Sequence, residues 1–199
     1  MENLRAFIKS YWDYYLEIEN QFLESKKFVA FAKTNEKTFS VEYLKLYQAV
    51  CSEIDVVGKE IACAVDSSFK IDNHTNIKKW GYVIQQHFSE LKNTVVIFND
   101  EEPYQPFENW EYENYTAKNG NKGLRVIKKK TTITWWKDYN KVKHQRIGLI
   151  TNTENFCLAN QKNLILAYSA LYAIETVYIN QFTVNKDVKI ESSKLFKLK

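Results

Sequence analysis

Apolar residues recur at steps of three and four along most of this chain, the period of a helix with one buried face. From residue 3 to about 32 there is no Gly or Pro, and Leu4, Phe7, Tyr11, Tyr14 or Tyr15, Ile18 and Phe22 predict one long helix. Ser40 is a suitable N-cap for a second, with Glu42 favourable in its first turn. Its stripe is Tyr43, Tyr47, Val50, Ile54, Val57, Ile61 and Val65, a near-heptad spacing suited to packing along another helix. Asp72, Asn73 and Thr75 offer caps for a third helix carrying Ile77, Trp80, Ile84, Phe88 and Leu91 on one face. A fourth is predicted from a Thr134 cap through Trp135 to about Arg146 or Gly148. The last runs from about Ala159 to Gln181. Leu164, Tyr168, Leu171, Glu175, Tyr178 and Phe182 share one side of it, and Ile165, Tyr172 and Ile179 a neighbouring side. Apolar surface this wide needs cover on more than one side, so this helix is either the centre of the bundle or a subunit contact. Ala159, Ala167, Ser169, Ala170 and Ala173 permit close approach of neighbours.

The period breaks between residues 94 and 133, which hold both prolines. Three β-like runs lie there: Val95 to Phe98, Leu124 to Ile127 and Thr131 to Ile133. They predict an irregular insertion able to form a β-hairpin, not a separate domain. The tail after Thr183 is basic and reads as frayed or as a short strand. The expected fold class is therefore all-α: an up-and-down bundle of about five helices, one domain over residues 1–199, with an insertion before the fourth helix. Only 5 Gly and 2 Pro argue against a turn-rich all-β sandwich.

Composition adds a compartment and a charge pattern. Cys51, Cys63 and Cys157 are sparse, odd in number and without a Cys-x-x-Cys pair, as expected of buried thiols in a reducing compartment. The first residues contain no apolar core of signal-peptide length, and the most apolar run, Leu164 to Phe182, is interrupted by Glu175. A cytoplasmic protein without a membrane span is expected. Residues 100–117 carry six acids and no base, whereas residues 118–146 carry ten Lys or Arg against Asp138 alone. That local excess suits a polyanion such as RNA or DNA. A solvated loop followed by a solvated helix face would read the same way.

Concentrated chemistry lies in Trp135 to Arg146. On a helix Trp136, Asn140 and His144 stack in one row, and Tyr139, Lys143 and Arg146 form the next. An imidazole can exchange a proton near neutral pH, and Asn, Lys and Arg can hold a phosphate. That kit suits metal-independent phosphodiester cleavage, in which a ribose 2′-hydroxyl attacks the neighbouring phosphate. It equally suits polar groups that fix helix register. Glu53, flanking the apolar stripe of the second helix, could orient His144 or a phosphate-binding cation across the bundle. Asp55 and Lys59, at i and i+4, read as a surface ion pair. Glu175 must find a partner if buried, and Tyr or Lys is expected. His74 and His87 lack ligand-type neighbours, and no phosphate loop, nucleophile elbow or helical His-Glu-x-x-His occurs, so no metal or cofactor is expected.

The string Tyr139-Asn140-Lys141-Val142-Lys143-His144 resembles the HEPN superfamily motif, in which Arg precedes a polar residue, a short spacer and His. The longer string from Trp135 to Arg146 looks like small abortive-infection proteins of the AbiV type. The resemblance implies a small all-α dimer, acting as a metal-independent RNA endonuclease in phage defence or as a toxin that blocks translation. Asn140 and His144 match the motif directly. Tyr139 stands where the family has Arg, and Tyr cannot clamp a phosphate as guanidinium does. Arg146 is then expected to take that part, with Lys143, Lys141, Lys137 and Glu53 lining the substrate. The departure at Tyr139 leaves a second reading: a non-catalytic dimer that binds RNA, or a phage or antitoxin protein, as a regulator of translation or abortive infection.

Overall fold

The computed structural model describes residues 2–116, 122–126, 133–150, 153–183 and 190–199. The protein is mostly helical, with a small antiparallel sheet. Its first helical stretch comprises α1 (Glu2–Phe7), a π-helical turn (Ile8–Trp12) and α2 (Asp13–Ser25), with helical backbone angles kept through both junctions. It stops short of residue 32. The amides of Phe28 and Val29 both turn back onto the Ser25 carbonyl, and the chain reverses so that Phe31 packs on Phe22 with ring centroids 4.6 Å apart.

The second predicted helix is α3 (Val41–Val65), and Ser40 caps it by accepting from the Tyr43 amide at 3.0 Å. Tyr43, Tyr47, Val50, Ile54, Val57 and Ile61 are all buried, as their spacing requires. The third is α4 (Ile77–His87). Asn76 caps it, not Asp72, Asn73 or Thr75, because the Asp72 and Thr75 side chains close a turn on each other ahead of it. The fourth is α5 (Thr134–His144), which Thr134 opens without capping; Ile133 holds the cap position and makes no side-chain cap. The last is α6 (Gln161–Thr183), whose most extensive contact is with α3. Ala167, Ser169, Ala170 and Ala173 are fully buried, so one chain alone covers much of this helix and makes it the bundle's centre.

The insertion is anchored more firmly than its sequence suggests. β1 (Val96–Phe98) is the middle strand of an antiparallel sheet, between β2 (Glu102–Tyr104) and β7 (Phe196–Leu198) near the C-terminus. A hairpin pairs β3 (Tyr112–Thr116) with β4 (Lys122–Val126), and a short ladder pairs β5 (Leu149–Ile150) with β6 (Thr153–Glu154). Thr131 and Thr132 of the third expected run lie outside the described residues. Phe107 and Trp110 are fully buried, and Trp110 meets Trp80 edge-on at 6.0 Å. Gly81 permits that approach: a Cβ there would lie 2.3 Å from the Trp110 ring. The C-terminal segment is tied down by Glu19, buried on α2, which accepts from the backbone amides of Lys194 (2.8 Å) and Leu195 (3.2 Å) and from the Ser193 hydroxyl. Among the described residues no helix is long and apolar enough to cross a membrane.

Candidate functional site

Local packing fixes α5 before any chemistry is considered. The Trp135 ring is buried and its indole N–H donates to the Pro106 carbonyl at 2.9 Å. The Tyr47 hydroxyl on α3 donates to the Trp135 carbonyl, and Val142, two turns on and on the same face as Trp135, is fully buried. Asn155 ends the helix by donating from its amide to the Gln145 carbonyl at 2.6 Å, while its backbone N–H bonds the Gly148 carbonyl at 2.7 Å. A Cβ on Gly148 would lie 2.6 Å from that Asn155 amide, so glycine is needed there for close approach.

With α5 so placed, Trp136, Tyr139, Asn140 and Lys143 line a groove of about 340 Å³. Its other walls are Cys51, Ser52 and Asp55 of α3 and residues 75–78, which lead into the first turn of α4. Asn140 spends one amide hydrogen on the Trp136 carbonyl (2.9 Å), leaving its other hydrogen and its oxygen for a ligand. Lys143 holds its ammonium 5.6 Å from the Tyr139 ring centre, a cation–π contact. The Tyr139 ring is only 5% exposed, edge-on to Tyr47 at 5.9 Å and tilted against Trp136 at 5.3 Å. Burial, then Cys51 and Asp55, pushes its phenol up to about 12, so it stays a neutral phenol at pH 7 and its ring forms an aromatic wall of the groove. Burial also raises the Cys51 thiol well above its usual range, with nearby Lys143 opposing, which keeps it protonated and poorly nucleophilic. Asp55 is spoken for, paired with Lys59 at 2.5 Å and accepting from the Trp80 indole at 2.9 Å.

The remaining sequence-predicted residues lie elsewhere. His144 closes α5, exposed to solvent and outside the groove lining. Arg146 does not continue the Tyr139–Lys143 row. The helix has ended, and Arg146 sits exposed in the following turn, its carbonyl accepting from the Phe156 amide at 3.0 Å. Lys141 turns to Asp138, 2.8 Å away, and Asp138 also accepts from Asn163 of α6. Lys137 is exposed, away from the groove lining. Glu53 does not face His144: it lies about 160° around α3 from Asp55. There it neighbours Glu175, and burial pushes its carboxyl up to about 7.

Glu175 does not find the Tyr or Lys partner its sequence setting suggests. Both carboxyl oxygens are buried without a hydrogen bond. Burial, then Glu53, raises its pKa well above the carboxylate range, which favours the neutral acid. Sequence reasoning missed the start of α4 as a groove wall. The capping character of Asn76 was a usable signal, but no periodicity places residue 78 beside residue 143.

Fold and groove together define an α-helical bundle with a small sheet and a cationic, aromatic-lined cleft between three helices. No protein-family model matches the chain, and neither a curated protein nor a solved structure is significantly similar to it.

Proposed function

We propose that this is a HEPN-like cytoplasmic protein that holds RNA in the groove between α3, α4 and α5 and acts as a non-catalytic regulator of translation in phage defence. The observation that carries this reading is the placement of Asn140 and Lys143, two residues of the HEPN-like string, in one open groove beside the Trp136 ring. An amide, an ammonium and an indole suit a phosphate and an unstacked base. Holding without cutting is favoured because the residue in place of the family's Arg, Tyr139, is a buried phenol, and Arg146 stands beyond the helix end. Ile147 and Leu149 are 80% and 68% exposed beside His144, apolar surface suited to a second copy, so the working form is a homodimer. A phage or antitoxin protein would be an alternative occupant of that surface.

A second reading, RNA cleavage, draws on one observation: His144 is solvent-exposed one turn beyond Asn140, free to reach an RNA strand lying along α5. A single experiment separates the two. Purified protein is mixed with end-labelled RNAs, and binding and cleavage are followed in parallel for wild type and His144→Ala. The regulator reading expects retention of RNA by both proteins with no cleavage by either. Cleavage by wild type that His144→Ala abolishes would replace it with the endonuclease reading. Absence of RNA binding under folded, low-salt conditions would overturn both.

A further inference from the structure

The start of α4 turns the groove into a slot with cations on two sides. Lys78, exposed at the second position of α4, lines the same groove as Lys143 of α5. Among the described residues neither lysine is ion-paired, whereas Asp55 between them is already occupied by Lys59 and Trp80. Two unpaired ammonium groups lining one cleft attract an anion that fits between them. Trp136 lines the same slot with its ring partly accessible and its other contacts edge-on or tilted, 5.8 Å from Trp135 and 5.3 Å from Tyr139. At about 340 Å³ the slot sits at the small end of ligand-sized pockets and is walled by three helices. A paired base keeps its faces inside a duplex stack and cannot enter such a slot, but an unpaired one can.

We infer that the slot takes one unpaired nucleotide, with its base against Trp136 and its phosphate bridged between Lys143 and Lys78. The inference rests on the groove being the RNA interface and assigns Lys78 and Trp136 as the residues that select an unstacked nucleotide. Asn140 then meets the ribose or the base edge through the amide hydrogen and oxygen its helix leaves unused.

The test is binding of fluorescent single-stranded RNA and of an RNA duplex of the same length, measured on the full chain. Variants are Lys78→Glu, Trp136→Ala and Trp136→Phe, with circular dichroism and thermal melting as fold controls. Single-strand affinity should fall about tenfold or more for Trp136→Ala and recover substantially in Trp136→Phe, since any aromatic face can stack a base. Lys78→Glu should weaken binding and flatten its salt dependence by about one unit of log–log slope or more. Duplex binding should be weaker than single-strand binding and unmoved by Trp136→Ala. Single-strand binding within twofold of wild type in both Lys78→Glu and Trp136→Ala would overturn the slot while leaving RNA binding by the protein intact. Failure of wild type to bind any RNA would remove the slot and the functional reading together.

Discussion

At the scale of single residues, the carboxyl of Glu175 is the most consequential surprise. A buried polar group without a partner costs about 1–3 kcal/mol, and a charged one more. Its pKa is raised on folding, and that of Glu53 beside it is raised to about 7. The unfolded chain releases these protons at ordinary carboxylate pH, while the folded chain holds them. The native state therefore binds more protons, and stability is fully present below the unfolded value and lost as pH rises through the folded ones. Glu53 places part of that loss between pH 4.5 and about 7. Melting temperature is expected to fall from pH 5 to pH 8 in wild type. Glu175→Gln should flatten that slope, and Glu175→Met should stabilise the protein at pH 8 by about 1–3 kcal/mol. A melting curve series across this range checks both. An unchanged slope in Glu175→Gln would mean that the group is not a neutral acid in the native state.

Among the elements, two contacts set how they pack. Gly58 on α3 faces the Trp80 ring so closely that a Cβ would lie 2.6 Å from it, which lets α4 settle against α3. Gly58→Ala should push Trp80 and its bond to Asp55 out of place, destabilising the protein by about 1–3 kcal/mol in chemical denaturation. Because Asp55 also lines the groove, RNA affinity should fall in the same variant. The second contact is the tether of β7 to α2. Glu19→Ala removes the acceptor for two backbone amides and the Ser193 hydroxyl, and should cost about 3 kcal/mol or more. Hydrogen exchange should then show the amides of residues 194–198 and of β1 losing protection first, since β7 is the outer partner of β1. Helix existence and faces were legible in the sequence here, because a 3.6-residue period reports which side of a helix is buried. The ends of helices were less so. Asn76, not Asp72, caps α4, and Asn155, eleven residues beyond α5's last histidine, ends α5.

For the whole molecule, the expected behaviour is a basic protein that associates with itself near His144 and with RNA at the groove. Replacing both Ile147 and Leu149 by Asp should convert a dimer to a monomer in sedimentation, with the melting temperature held within a few degrees, because both side chains are exposed in the single chain. Wild type remaining monomeric at tens of micromolar would remove the dimer from the proposal. RNA affinity should drop steeply with salt, since phosphate neutralisation by lysines releases condensed counterions. The candidate site was only half legible at this scale. Asn140, Lys143 and Tyr139 were found by helical spacing, and the other two walls of the groove were not: Cys51 and Asp55 of α3 and Lys78 of α4 come from segments far away in sequence.

The amino-acid sequence by itself determined where helices form and which faces they bury, because apolar period and capping residues act over a few neighbouring positions. It also placed an amide, a phenol and lysines on one short helix. Which of those groups face a common space was decided only by tertiary packing. Trp135 locks the rotation of α5 through its bond to Pro106, Asn155 stops the helix before Arg146, and Asp138 is shared between Lys141 and the distant Asn163. Each of these outcomes depends on a contact between residues distant along the chain or on the competition for a single partner, and no local pattern encodes either.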